Sequence, residues 1–175
     1  PSFTSANTTT FVVGTSGSFA VTANGSPAPT FSTVSPLPGG VTLTLGGSLT
    51  GTPNAGTGGS YPLSIVATNG VAPDATQSFT LLVNQAPTIG AIGSISFTVG
   101  VAASNAFSTT GFPAPTNTLS GCTLPAGLTL SGNTIGGTAS VGATSATGCV
   151  VTASNAAGSA STAPFNVTIS QPPTI

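Results

Sequence analysis

Few side chains in this sequence of 175 residues could take part in chemistry. It contains no Lys, Arg or His, and its single acidic residue is Asp74. Serine and threonine hydroxyls are plentiful, but a hydroxyl becomes a nucleophile only beside a general base. Neither His nor Lys is present to be that base, so we predict no catalytic residues and no enzymatic activity. Asp74 falls between two predicted strands and is interpreted as a solvated turn residue.

The same composition argues against metals, cofactors and nucleic acid. A calcium or zinc site takes several carboxylates, imidazoles or thiolates, which one Asp and two Cys cannot supply. The glycine-rich piece at 56–59 lacks the lysine of a phosphate-binding loop. With no cationic side chain, nothing can neutralise the phosphates of a nucleic acid. No apolar run reaches the roughly 18 residues of a membrane span, so we also predict no membrane insertion.

The two cysteines are the most informative reactive side chains. Cys122 and Cys149 are separated by 27 residues, which is not the Cys-x-x-Cys spacing of redox and metal motifs. Cys149 stands in a predicted strand at the place that inward-facing Leu63 has in an earlier, similar strand. A structural disulfide is favoured over two free buried thiols. Such a disulfide implies an oxidising, extracellular or cell-surface location.

Sugars are the one class of ligand for which the residue types are present. Three Asn-x-Ser/Thr sequons begin at Asn7, Asn24 and Asn166 and are candidate glycosylation sites. The dense serine and threonine also permit O-linked sugars. A sugar-stacking platform of aromatic rings is the weaker alternative, because most of the nine Phe residues occupy inward-facing positions. Phe112 is its best exposed candidate.

Alternating apolar residues indicate the elements that carry these side chains. Apolar residues occupy alternate positions over 61–67 and again over 79–83, which is the period of a strand with one buried face. Asn69-Gly70, between the two runs, predicts a tight turn. Glycine and proline are frequent, and Met, Lys, Glu and Arg, which favour helices, are missing. The sequence therefore predicts an all-β chain.

The strongest pattern is an internal repeat of 86 residues. Asn69 recurs as Asn155, and Phe79 recurs as Phe165, with the same shift. The repeat predicts one domain over 1–86 and a second over 87–172, with 173–175 as the start of a third repeat.

The order of motifs within a repeat carries a family resemblance. In the first repeat it runs Gly-Ser-Pro-Ala-Pro-Thr at 25–30, Leu-Pro-Gly-Gly-Val-Thr-Leu at 37–43, Gly-Ser-Leu-Thr-Gly-Thr-Pro at 47–53 and Tyr-Pro-Leu-Ser-Ile-Val-Ala-Thr-Asn-Gly at 61–70. This order resembles the immunoglobulin-like tandem repeats of bacterial surface and secreted proteins, which are related to cadherin-like domains. The resemblance implies two seven-strand, Ig-like β-sandwiches in series and no catalytic residues. In the second repeat Thr147 stands in place of Tyr61, and the calcium ligands of cadherins do not carry over.

These observations together predict a structural extracellular protein. We expect its tandem repeats to form a glycosylated filament or fibrous surface appendage, through self-association with neighbouring repeats or subunits. The strands have no charged residues to guard their edges against such pairing. The alternative is a stalk or binding module of a cell-surface adhesin, or an accessory domain of a secreted enzyme. No signal peptide is visible, so the sequence is interpreted as a mature product or an internal fragment.

Overall fold

Every regular element in residues 1–172, the part of the chain that this computed structural model describes, is a β-strand. The prediction of an all-β fold is therefore confirmed. The chain divides into a first unit, Pro1–Gln85, and a second unit that begins at Ala86. The predicted start of a third repeat at 173–175 lies outside the described residues.

The first unit is a sandwich of two sheets, with one further pair of strands. One sheet has the order β2-β9-β8-β5, the other has the order β3-β7-β6, and β1 pairs with β4. Strand β2 runs parallel to β9, and the remaining pairs are antiparallel. The strands are β1 (Ser2–Phe3), β2 (Thr8–Val12), β3 (Gly17–Ala20), β4 (Ala23–Asn24), β5 (Thr30–Thr33), β6 (Val41–Leu43), β7 (Ser48–Gly51), β8 (Gly59–Thr68) and β9 (Ala75–Ile89), whose residues from Ala86 onward belong to the second unit.

The second unit repeats this arrangement. Its sheets have the orders β10-β18-β16-β13 and β11-β15-β14, while β17 pairs with β16 and the end of β9 pairs with β12. Strand β10 is parallel to β18, as β2 is to β9. The strands are β10 (Ile95–Thr98), β11 (Ala102–Ala106), β12 (Thr109–Phe112), β13 (Thr116–Ser120), β14 (Leu128–Ser131), β15 (Thr134–Thr138), β16 (Ala146–Asn155), β17 (Gly158–Ser161) and β18 (Phe165–Ser170).

Alternate residues of the long strands fill the space between the two sheets of each unit. Leu63 of β8 lies opposite Phe79 of β9, and both are buried. Cys149 of β16 lies opposite Phe165 of β18 in the same way, which confirms that Cys149 occupies the place of Leu63. Burying one such apolar side chain contributes about 1.5–3 kcal/mol, so these inward positions supply the main stabilisation of each sandwich.

Tyr61 holds the beginning of β8 in the first unit. Its hydroxyl donates a hydrogen bond to the carbonyl oxygen of Thr57 at 2.8 Å. This is the tyrosine corner of Ig-type sandwiches, in which a tyrosine hydroxyl reaches backbone a few residues upstream. The ring is half-buried against the core, so Tyr61 is a structural residue.

The strand that matches β8 begins differently in the second unit. The sequence comparison placed Thr147 at the position of Tyr61, and this was wrong. Ala146 has the register of Tyr61, because β16 carries one extra residue before Cys149. The extra residue forms a β-bulge, and Gly148 within it has φ of +70°, a conformation that favours glycine.

A second irregularity of the ladder lies between β17 and β18. Strand β16 pairs first with β17 and then with β18. Between the pairs Thr152–Ser161 and Cys149–Phe165, β16 moves by three residues and its partners by four. Thr162 lies in this gap and is almost fully buried. Its N–H donates to the carbonyl of Val151 at 3.0 Å, and the N–H of Val151 donates to its Oγ1 at 3.1 Å. A side-chain oxygen therefore takes the role of a backbone acceptor where the ladder is interrupted.

Asn69 and its repeat Asn155 each tie two loops together. The Nδ2 of Asn69 donates to the Pro27 carbonyl at 2.9 Å, and the Nδ2 of Asn155 donates to the Pro113 carbonyl at 2.8 Å. Asn69 and Gly70 form the turn that follows β8, with Gly70 at a φ of +77° and the Val71 N–H donating to the Oδ1 of Asn69 at 3.2 Å, and the whole loop to β9 covers 69–74. The recurrence of these asparagines with Pro-Ala-Pro thus reflects loop packing.

The Leu-Pro-x-Gly motif forms the same turn in both units. In the first, the Val41 N–H donates to the Pro38 carbonyl at 3.1 Å, and Gly40 between them has φ of +88°. Gly127 has the same φ in the second unit. These are features of a type II turn, whose third position requires a positive φ. A Cβ on Gly40 would also overlap the carbonyl oxygen of Thr52, so only glycine fits here.

Candidate functional site

The disulfide lies within one sheet of the second unit. The structure joins Cys122, which follows β13, to Cys149 of β16, with their Cα atoms 4.8 Å apart. Strands β13 and β16 are hydrogen-bonded neighbours, and Ser120 lies opposite Val150 one step before the bridge. The bridge therefore fixes the end of β13 to β16, whereas the disulfide of antibody domains joins strands of opposite sheets. Cys149 is fully buried, and Cys122 is half-buried at the surface.

An open apolar groove of about 580 Å³ lies beside this disulfide. It separates β13 from β14, the edge strands of the two sheets of the second unit. Its walls are four leucines, the sulfur-bearing side chain of Cys122, and amide and hydroxyl side chains. The lining residues are Asn117, Thr118, Leu119, Cys122, Thr123, Leu124, Leu128, Thr129 and Leu130. None of these side chains carries a charge.

The two repeats differ at a residue that lines the groove. Phe31 of β5 lies opposite Ala67, and Asn117 of β13 has the same register opposite Ala153. The Phe31 ring is only 6% exposed and belongs to the core of the first unit. The Nδ2 of Asn117 instead donates to the carbonyl of Gly132 at 3.0 Å, and its Oδ1 is buried without a hydrogen-bond partner. The first unit thus places an aromatic ring at this position, and the second places a carboxamide.

The three sequon asparagines are all exposed, each in a different setting. Asn7 lies in the bend before β2, Asn24 lies in β4, and Asn166 lies in β18. The Oδ1 of Asn166 accepts a hydrogen bond from the N–H of Gly148 at 3.3 Å. Since N-linked sugars attach to Nδ2, this bond leaves the attachment atom free. Asn166 lies beside the disulfide, because Gly148 directly precedes Cys149, whereas Asn7 and Asn24 lie in the first unit.

The remaining candidate residues form no site. Asp74 is exposed in the loop at 69–74, and residues 1–172 contain no group of three His, Cys, Asp or Glu side chains that could hold a metal ion. Phe112, predicted to be exposed, is half-buried at the end of β12. Over the same described range, no helix is long and apolar enough to cross a membrane.

The outer faces of the two three-stranded sheets consist entirely of small residues, which the sequence pattern did not single out. Outward positions alternate with buried ones such as Leu49 and Ile135, and none carries a side chain larger than threonine. They are Ser18, Ala20, Thr42, Ser48 and Thr50 in the first unit, and Ala102, Ser104, Ala106, Thr129, Ser131, Thr134, Gly136 and Thr138 in the second. Each face is therefore uncharged and free of bulky side chains.

Comparison with known families gives two matches along the chain. The family model of the Putative Ig domain matches residues 1–84 and again residues 86–170. No curated protein sequence matches the chain. The family match does not bear on whether the source is bacterial.

Solved structures with a similar fold are arrays of Ig domains. Extracellular domains 3–5 of Drosophila OTK share 18% identity at a TM-score of 0.55, over 96% of this chain and 61% of that one. A tandem of two titin Ig domains shares 17% identity at 0.55, over 94% and 93%. A chain of the complex between Dpr2 Ig1-Ig2 and DIP-Theta Ig1-Ig3 shares 16% identity at 0.55, over 94% and 62%. The chain thus spans less than two thirds of the OTK and Dpr2–DIP-Theta structures, and the likeness shows the fold alone.

Proposed function

Since the chain belongs to the Putative Ig domain family and carries two copies of the domain in tandem, we propose that it is an extracellular structural protein. Its repeats form a filament or fibrous surface appendage by self-association with neighbouring repeats or subunits. The chain is not an enzyme, because the Ig-like fold is typically non-catalytic and neither His nor Lys is present to activate its hydroxyls. The disulfide between Cys122 and Cys149 fits an extracellular location.

The single observation that carries this proposal is the character of the outer sheet faces. They consist of Ala, Gly, Ser and Thr, and the whole sequence has a formal net charge of −1. Like-charge repulsion, which normally keeps soluble domains apart, is therefore nearly absent. Uncharged edge strands such as β11 and β3 also lack the usual guards against pairing. Such surfaces suit side-by-side packing of identical subunits.

A second candidate function is a binding module, either a stalk segment of a cell-surface adhesin or an accessory domain of a secreted enzyme. The groove beside the disulfide favours it, because binding sites are concave and mostly apolar. The Dpr2 and DIP-Theta Ig domains, which were solved as a complex, are an instance of Ig arrays that bind a protein partner.

Glycans are part of the main proposal. We propose that Asn7, Asn24 or Asn166, together with serine and threonine hydroxyls, carry sugars that keep fibres hydrated where charge cannot. Mass spectrometry of proteolytic peptides from native material should show added sugar mass on peptides that contain these residues. Peptides that all have their unmodified masses would remove glycosylation from the proposal.

Electron microscopy of native material, together with X-ray scattering of the recombinant chain, tests the main function. We expect ordered fibres in native preparations. In scattering, we expect the apparent molecular mass of the recombinant chain to rise with its concentration. Native preparations without fibres would leave only the binding-module function.

A further inference from the structure

The second unit lacks a side chain that the first unit uses to close its sandwich. Phe31 closes the edge between β5 and β6, and its N–H donates to the carbonyl of Leu45 at 3.0 Å. At the matching edge of the second unit, the Nδ2 of Asn117 donates hydrogen bonds to the turn between β14 and β15. The acceptors are the carbonyl oxygen of Gly132 at 3.0 Å and the Oδ1 of Asn133 at 2.9 Å. The leucines beneath are left facing an open groove of about 580 Å³. Covering this apolar surface with a matching apolar group removes it from water, which is favourable in free energy.

The first unit carries a side chain of the kind that the groove lacks. Leu45 is 68% exposed at the tip of the turn between β6 and β7. Its neighbours Thr44 and Gly46 are small, so nothing beside it obstructs approach. In the second unit the chain between the paired residues Leu130 and Ile135 is one residue shorter than the chain between the paired residues Leu43 and Leu49, and it contains no apolar residue. Leu45 and the groove therefore belong to different units of the same chain.

We propose that the groove of the second unit takes up the Leu45 side chain of a second copy of this chain. Leu45 is the one leucine among the exposed large aliphatic side chains of residues 1–172, and leucine is also the commonest residue type in the groove wall. The others are valines, whose shorter side chains reach less far into a groove: Val12, Val34, Val71, Val101 and Val141. This contact deepens the proposed function, because it rests on the self-association proposed above and names its surfaces.

Charge at the two surfaces agrees with a second copy as the occupant. The groove lining contains no ionisable side chain, and the turn around Leu45 is Thr-Leu-Gly-Gly. Neither surface would bury an unpaired charge or meet a like charge on contact. A charged peptide or an anionic ligand would find no complementary group here.

The contact joins different patches of the two copies, so it is heterologous. Each copy offers one Leu45 and one groove, and a contact of this type leaves both ends of a pair free to bind again. Repetition then gives an open assembly unless the geometry closes a ring. Because one leucine buries far less surface than the roughly 1,200–2,000 Å² of a stable interface, we expect a single contact to be weak and association to need high protein concentration.

Sedimentation equilibrium of the full chain over a concentration series tests the contact. Leu45→Ser removes the apolar side chain and should weaken association at least about tenfold. Asn117→Phe places there the ring found in the first unit, narrows the groove, and should weaken association by a similar factor. Val141→Ser is the matched control, because Val141 is 90% exposed and lies outside both surfaces. It should leave association unchanged.

Mixing the two variants gives a sharper result. Leu45→Ser retains its groove and Asn117→Phe retains its leucine, so the mixture should form one-to-one pairs that grow no further. A thermal melt checks that Asn117→Phe is folded, and the Leu45→Ser result stands without it. Wild-type association that survives both substitutions would overturn this contact but not the proposed self-association. A wild type that stays monomeric also overturns the contact, and fibres in native material would then still support the proposed function.

Discussion

Two residue-scale devices act at equivalent points of the two sandwiches. In the first unit the Tyr61 hydroxyl reaches back to the carbonyl of Thr57, and in the second the Cys122–Cys149 bridge joins β16 to its neighbour. Both lie at or near the start of the strand whose inward residue is Leu63 or Cys149. One unit thus relies on a hydrogen bond and the other on a covalent bond, so their stabilities should respond to different changes.

Tyr61→Phe removes one half-buried hydrogen bond and keeps the ring. We expect the free energy of unfolding of the first unit to fall by about 1 kcal/mol. For a domain of this size, that lowers the melting temperature by about 4–8 °C. Differential scanning calorimetry measures it, with the transition of the second unit as an internal control. A first transition that does not move would show that the bond to Thr57 contributes nothing.

Reduction of the disulfide should destabilise the second unit alone. The bridge closes a loop between residues separated by 27 positions, and a loop of that size stabilises by about 3 kcal/mol through the unfolded chain. Calorimetry with and without a reductant should therefore shift only one of the two transitions. The prediction fails if the Tyr61-containing unit shifts instead, or if alkylation of the unreduced protein labels either cysteine.

At the scale of the element, the interruption between β17 and β18 depends on one side chain. The Oγ1 of Thr162 satisfies the buried N–H of Val151, and a buried donor left without a partner costs about 1–3 kcal/mol. We expect Thr162→Val, which keeps the shape and loses the oxygen, to lower the denaturant midpoint of the second unit accordingly.

Thr162→Ser is the matched control for that substitution, because it keeps the acceptor and loses only a methyl group. Its midpoint should lie closer to that of the wild type. Equal loss in the two variants would mean that packing of the methyl group, and not the hydrogen bond, holds this interruption in place.

At the scale of the whole molecule, the near absence of charge is the dominant property. The sequence contains one acidic and no basic side chain, so ion pairs between side chains contribute nothing to stability. Screening acts only on charges. We therefore expect the melting temperatures of both units, and the self-association constant, to be nearly the same in about 10 mM and about 150 mM NaCl. Calorimetry and sedimentation at the two salt concentrations measure this, and a strong dependence in either quantity would contradict it.

The sequence by itself determined the architecture. Alternation over 61–67 and 79–83, together with the 86-residue repeat, was enough to predict an all-β chain of two similar domains, because the period of buried residues follows directly from strand geometry. The Ig-like identity of the domains came from the resemblance of the motif order to a known family, and the family match shows it. The place of Cys149 also followed, since it shares a position with Leu63 in the repeat. Composition alone removed most catalytic and nucleic-acid chemistry from consideration.

Only the tertiary structure decided where loops and registers depart from the repeat. The bulge at Gly148, which puts Ala146 in the place of Tyr61, depends on pairing with a strand distant in sequence. The replacement of Phe31 by Asn117 is visible in the sequence, but its consequence is not. The shape of this edge depends on where the turn between β14 and β15 lies relative to β13. That position is set by packing between the two sheets.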